Sequence, residues 1–416
     1  MKAKSTLIKY FVIFVLSFVI QSTTAQSWPS QSWASALNIT AVMDAAGIDQ
    51  LSGLHWNPVN NRLYGVQNNG RLRVLQMNTT TNTFTQIGNK SISGGPEGIT
   101  QANLSANEFY VIDENNYEIQ KYTHNASFST VTQSKHWNLL SAPSPMPNTG
   151  NIGPEGIVFI PDSNLTAAGF RSSVTGQTYT STKGAGGLFF IAHQDGGYVW
   201  VFDINPNTNN DFAYVGKYAT AHPESCDLAF DRSTGLLYIL HNIDDNYLEV
   251  TDLTLSTAAE ATFHVVHNYV LTATGDANIN IEGFALMPKC GTSATGSAWL
   301  CRDVSNNEDD AILKSALKWF TPFIADGTCT PLSDSSFEKM AVSVFPNPAT
   351  NQITIAVEDL NNATLLLYNS LGQAVMQPVK ILGNETTIDV SKLPVGIYFF
   401  EITKETGTSR VKWIKN

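Results

Sequence analysis

The sequence predicts an all-β protein: a five-bladed β-propeller, with a six-bladed ring as the alternative count, followed by a small Ig-like β-sandwich. Two observations carry this expectation. The first is a recurring element in which a Glu-Gly pair, or a close variant, opens a short apolar run. It stands as GPEGIT at Gly95–Thr100, GPEGIVF at Gly153–Phe159, HPESCDLAF at His222–Phe230 and NIEGFAL at Asn280–Leu286. The second is the tail from Val342, where alternating apolar runs are separated by Asn-Pro, Leu-Gly-Gln and Pro-Val-Gly turn signals.

The elements follow in chain order. Lys2, Lys4 and Lys9 precede the apolar run Phe11–Ile20, and small residues end at Thr23-Thr24-Ala25. That order is the one found in secretory signal peptides, so residues 1–25 are expected to be a cleaved leader. A membrane-spanning helix needs about 20 apolar residues, and only about half that number run uninterrupted here. No transmembrane segment is expected in the mature chain.

The repeat then occupies residues 27–330. Its copies begin with LSGLHWNPVNNRLYGVQNNG at Leu51–Gly70, PEGITQANLSANEFYVIDENN at Pro96–Asn116 and PEGIVFIPD at Pro154. PESCDLAFDRSTGLLYILHNIDD at Pro223–Asp245 and IEGFALMP at Ile281 complete the set. Their starts lie roughly 45 to 70 residues apart, the range for four-stranded propeller blades with variable loops. The runs are short, rich in β-branched and aromatic residues and broken by Asn-Gly, Pro-Asp and Ser-Thr-Gly turns, which argues against helices. The segment Ala36–Met43 is expected to supply a strand that closes the ring. Residues 331–341 read as a linker and 342–416 as the sandwich.

Composition restricts the function. A net charge of −11 argues against nucleic acid, whose binding rests on Lys and Arg neutralising phosphates. Four cysteines, Cys226, Cys290, Cys301 and Cys329, allow up to two disulfides in an oxidising compartment, with three connectivities. No CxxC spacing favours zinc.

In a propeller the innermost strand of each blade starts at the face to which the second strand returns. Ser52, Glu97, Glu155, Glu224 and Glu282 are therefore expected to ring the mouth of the central channel. The polar clusters after the second strands, such as Asp113-Glu114-Asn115, His193-Gln194-Asp195, His241-Asn242 and Arg302-Asp303, should reach the same mouth. Converging carboxylates repel unless protonated or neutralised by a cation, and an oxygen-rich set suits Ca²⁺. The metal-ligand expectation is Glu97, Glu155, Glu224, Glu282 and Asp113. The plainer alternative is that each Glu accepts backbone N–H groups of a neighbouring blade. His222 and His241 lie near the mouth, and a His beside a carboxylate can act as general base. They are the catalytic candidates if the protein is a metal-dependent hydrolase (a lactonase, esterase or phytase-like phosphoesterase), and loop residues if it is a binding module. There is no GxSxG elbow, HExxH pair or phosphate loop.

Two resemblances rest on these residues. The units SGL, EGI, EGIVF, ESCDLAFD and IEGFAL, followed by LYGVQNN, YVIDENN and LYILHN, resemble the SdiA-regulated (YjiK-like) propeller family. That resemblance implies a five-bladed propeller with a calcium site and no firmly assigned reaction. The chain departs from it at Ser52, which stands in place of Glu, and in a long insertion after Pro161. Phe345-Pro346-Asn347-Pro348, Tyr368-Asn369 before Leu371-Gly372, Leu393-Pro394 with Gly396-Ile397-Tyr398, and the Lys-rich end at Lys412 and Lys415 resemble the type A C-terminal sorting domain of the type IX secretion system of Bacteroidota. It implies passage across the outer membrane by that machinery, with release or attachment at the cell surface. The main role expected is a secreted or surface-attached, calcium-binding module for an extracellular ligand.

Overall fold

The computed structural model describes residues 26–243, 246–256, 260–271, 279–290, 296–328, 342–357, 363–369, 373–381, 383, 385–404 and 407–416. The proposed leader, the linker and Cys329 lie outside these residues. Two compact units make up the chain, Met1–Cys329 and Thr330–Asn416.

Among the described residues the first unit has five antiparallel sheets, each a blade with its first strand innermost. Blade 1 comprises Leu51–Asn57, Arg62–Gln67, Arg71–Asn78 and Thr83–Ser91. Blade 2 comprises Pro96–Thr100, Glu108–Asp113, Glu118–His124 and Val131–Asn138. Blade 3 comprises Pro154–Pro161, Gly187–His193, Tyr198–Ile204 and Phe212–Ala219. Blade 4 comprises Ser225–Asp231, Leu236–His241, Tyr247–Leu255 and Phe263–Val270, with Gln26–Ser27 added in parallel at its outer edge. Blade 5 takes Ile281–Leu286, Ala298–Arg302 and Leu317–Phe320 from the end of the unit and Leu37–Asn38 from its beginning. That last pairing ties the two ends of the unit together and closes the ring. Each innermost strand contacts the next around the axis, and the blade 5 strand contacts that of blade 1.

Sheet faces alone are too small to bury a core, so the apolar residues are shared between neighbouring blades. Five apolar clusters result, one at each blade junction. Trp56 of blade 1 stacks on Trp299 of blade 5 with ring centroids 4.6 Å apart. Tyr110 of blade 2 meets Phe189 of blade 3 at 4.8 Å, and Tyr238 of blade 4 meets Phe284 of blade 5 at 5.8 Å.

The glycine that follows the recurring Glu has a steric cause. A Cβ on Gly98 would lie 2.7 Å from the Glu155 carbonyl oxygen, and one on Gly156 would lie 2.6 Å from Asp227 Cα. Innermost strands pass one another backbone to backbone at this level, and a side chain facing the neighbour has no room. Gly156→Ala is expected to cost about 1–3 kcal/mol through overpacking, read from denaturant unfolding of the full chain. Unchanged stability would show that the inner strands part without penalty.

Among the described residues the second unit is built from two sheets. One orders Val342–Phe345, Gln352–Val357 and Glu385–Asp389, and the other Val379–Ile381, Ala363–Asn369, Gly396–Lys404 and Gly407–Lys415. Ile353, Ile355, Leu365, Leu367, Phe400 and Trp413 are buried in its core.

Candidate functional site

The strand register fixes which residues are equivalent at the channel mouth. Leu51 pairs with Gln67, Pro96 with Asp113, Pro154 with His193, Ser225 with His241 and Ile281 with Arg302. The next residue on each inner strand is therefore Ser52, Glu97, Glu155, Cys226 or Glu282. Every register breaks at this point, as it does when a bulge re-aims a side chain. Three carboxylates of the expected ring are thus brought to equivalent positions, and all three are buried or nearly so.

Glu224 is not among them, which corrects the repeat alignment. It precedes the blade 4 strand, has φ +56°, and its carbonyl accepts the Asn242 N–H. The equivalent bonds run from Asn68 to Gln50, Glu114 to Gly95, Gln194 to Gly153 and Asp303 to Asn280. Glu224 therefore stands where Gly153 stands, two residues before the ring position. The dipeptide Pro-Glu is the same in both repeats, but packing is decided by the apolar residues that follow. Leu228 is equivalent to Ile157, and counting back from them leads to Cys226.

Asp113 also has a different task. Its carboxylate accepts the Gly95 N–H at 3.1 Å, the Asn116 side chain at 2.8 Å and the Gln120 side chain at 2.8 Å. It organises the turns of blade 2. The next residue, Glu114, is the one that faces the ring. It accepts the Gly153 N–H at 3.1 Å and lies close enough to Glu155 for its charge to raise that carboxyl.

A rule emerges from these contacts. The residue leaving the second strand of one blade reaches the inner-strand residue of the next. Asn68 donates to Glu97, Glu114 meets Glu155, and Asn242 donates to Glu282 at 2.8 Å. By register, Gln194 belongs with Cys226, and Asp303 with Ser52. At the blade 5 to blade 1 step the carboxylate has changed sides: Asp303 occupies the outer position and Ser52 the inner one.

The electrostatics follow from burial. Desolvation pushes Glu97 up to about 8, with Glu114 and Asp303 adding to it and Ser52 and Asn68 opposing. Glu155 is raised well above the carboxylate range by burial, then by Glu97, Glu282 and Glu114. Glu282 is raised in the same way by burial, then by Glu97 and Asp303. Asp303 is raised chiefly by burial, and its Oδ1 is enclosed with no hydrogen-bond partner among the described residues.

The candidate bases point elsewhere. His241 is fully buried, its Nε2 3.1 Å from Glu249 Oε2 and its Nδ1 3.1 Å from the Pro223 carbonyl. His222 stacks on Tyr247 with centroids 4.1 Å apart, and its Nε2 lies 3.0 Å from Asn268 Oδ1. Both are engaged within blade 4.

Sequence reasoning missed Asp227. It takes the place of the ring glycine, and its carboxylate accepts N–H groups from Leu54 of blade 1 (3.3 Å), Phe284 of blade 5 (2.8 Å) and Leu228 of its own strand (2.8 Å). It plugs the channel just inside the ring. The signal was present as the one non-glycine residue at that position, hidden by the slipped alignment. Of the cysteines, Cys290 is disulfide-bonded, whereas Cys226 and Cys301 are free and buried.

Fold and site define a five-bladed propeller with an acidic channel mouth, followed by a small β domain. Residues 27–168 match the model of the SdiA-regulated family, and residues 343–416 match that of the secretion system C-terminal sorting domain. Both resemblances read from the sequence are thereby met. The tail marks a bacterial protein directed to export, secreted or at the cell surface. Among the described residues no helix is long and apolar enough to cross a membrane. No curated protein matches the chain. Among solved structures it is similar to the nidogen/laminin complex at 13% identity, covering 61% of this chain and 72% of that one with a TM-score of 0.31. It is also similar to Raptor of Chaetomium thermophilum at 10% identity, covering 89% of this chain and 28% of that one with a TM-score of 0.34.

Proposed function

We propose that the propeller is an exported calcium-binding module that engages an extracellular ligand at its channel mouth. Glu97, Glu155 and Glu282 would hold the cation, with Glu114 and Asp303 completing the oxygen set. The observation that carries this reading is the convergence of Glu97, Glu155 and Glu282 from three blades on equivalent positions of the mouth, where Glu97 and Glu282 raise Glu155 and Glu97 raises Glu282. Such a group must be neutralised by protons or by a cation, and an all-oxygen donor set suits a hard divalent ion. The enclosed, unpartnered Oδ1 of Asp303 fits the same demand. Among the described residues no three His, Cys, Asp or Glu side chains form a ready-made ligand cluster. Binding would thus require the glutamates to draw together. A bound cation would supply positive charge to an anionic ligand group, while Asn68 and Asn242 hold Glu97 and Glu282 in place.

A hydrolase would need a base within reach of a metal-bound water. His222 and His241 hydrogen-bond to blade 4 instead, which favours the binding module. Calorimetric titration of the chelator-treated full chain with calcium tests the proposal. One calcium per chain is expected, with a rise in melting temperature and loss of both in Glu155→Gln/Glu282→Gln. Absence of heat and of any melting shift overturns it, as does unchanged affinity in the double variant.

A further inference from the structure

Further along the channel from Asp227 lies a cavity of about 40 Å³. All five innermost strands line it, through residues that include His55, Thr100, Phe159, Phe230 and Leu286. Its charge is opposite to that of the acidic mouth. Arg232, at the end of the blade 4 inner strand, crosses to blade 2 and donates to the carbonyls of Gln101 (2.9 Å) and Ala102 (3.3 Å). Its guanidinium lies 5.7 Å from the Phe159 ring centroid. Among the described residues no carboxylate stands within ion-pair distance of it. The two nearest in sequence are already used. Asp227 accepts three backbone N–H groups, and Asp231 serves Ser233 and the Lys289 N–H.

The second polar group in the cavity wall is His55. Its Nε2 is enclosed with no hydrogen-bond partner among the described residues. Burial, and then the Arg232 charge, hold its pKa down to about 3, so the ring is neutral at pH 7 and can offer one N–H. A guanidinium whose bonds go only to carbonyl oxygens, and which lacks a counter-charge, is costly when it is partly withdrawn from water. A water molecule needs only about 10–15 Å³ of such space, so the cavity has room for something larger.

We infer that this part of the channel is a binding site for a small monovalent anion of chloride size, held between Arg232 and His55. The anion supplies the charge that the protein withholds from Arg232 and accepts the Nε2–H of His55. The small volume between the five inner strands excludes larger, strongly hydrated anions such as sulfate. This inference stands independently of the calcium proposal.

Crystals of the full chain soaked in sodium bromide provide the test. An anomalous peak within contact distance of Arg232 and His55 is expected. Density there without anomalous signal, which would be a water molecule, overturns the inference. In solution, chloride and bromide should raise the melting temperature above that in gluconate or sulfate at equal ionic strength. Arg232→Met should lose that halide-dependent shift, and a shift of the same size in the variant also overturns the proposal. Should Arg232→Met fail to fold, the bromide peak in the unaltered chain decides.

Discussion

Asp227→Ala is expected to lower the stability of the propeller by roughly 3 kcal/mol or more. The carboxylate accepts N–H groups from blades 1, 4 and 5 and is almost fully buried. Its removal leaves three enclosed donors, and each unsatisfied buried group costs about 1–3 kcal/mol. Two of the three bonds join blades that are far apart in sequence, Leu54 and Phe284 on either side of the ring closure. The loss should therefore appear as earlier cooperative unfolding of the propeller rather than as local fraying. Asp227→Asn should be milder. A single amide oxygen at the Oδ2 position keeps both cross-blade bonds and disturbs only the Leu228 contact. Urea unfolding followed by tryptophan fluorescence distinguishes these outcomes. A loss below about 1 kcal/mol for Asp227→Ala would mean that water takes over the acceptor role, and the residue would no longer count as a structural plug.

How far the sequence reveals this arrangement depends on the residue. The blades are legible because period-two alternation and turn residues repeat through runs such as LLYILH and YVWVFDI, whose partners across a sheet need only be apolar. Glu97, Glu155 and Glu282 are legible because a charged residue at the head of an apolar strand is conspicuous. Glu224 misleads for the same reason. The eye aligns Pro-Glu, whereas the fold aligns Leu228 with Ile157 through inter-blade packing, which no local pattern announces. Asp113 and Glu114 are adjacent carboxylates whose roles depend on which side of the second strand each side chain leaves. Only the register separates the turn-building residue from the one that faces the ring. His222 and His241 illustrate a further limit: nearness in sequence to the mouth says nothing of the Asn268 and Glu249 partners, which come from the outer strands of the same blade.

The stability of the calcium-free protein is expected to fall as pH rises through the neutral range, and calcium is expected to abolish that fall. The sign follows from the direction of the shifts. Glu97 moves up from 4.5 to about 8, and Glu155 and Glu282 move up as well. The folded chain therefore holds protons that the unfolded chain has released. That advantage is complete below about pH 4.5 and is lost progressively as pH climbs toward the raised values. Each extra proton held by the folded state makes the slope about 1.4 kcal/mol per pH unit, so three coupled carboxylates can remove several kcal/mol between about pH 5 and 8. A divalent cation replaces the protons as the neutralising charge. Its affinity should accordingly rise with pH, because binding then competes with fewer protons. Melting curves of the full chain across this range, with chelator and with calcium, give the two profiles. Glu97→Gln/Glu155→Gln/Glu282→Gln should make the chelator profile shallower and remove the calcium response, and the slope that remains belongs to Glu114, Asp303 and Asp227, which burial also raises. If the chelator profile of the triple variant is as steep as that of the unaltered chain, the three glutamates are not neutralised by protons in the folded state, and the electrostatic basis of the ring is lost. A sloping profile that calcium leaves unchanged would separate the two claims: the glutamates would be a proton-sharing structural ring, and the cation would have no place among them.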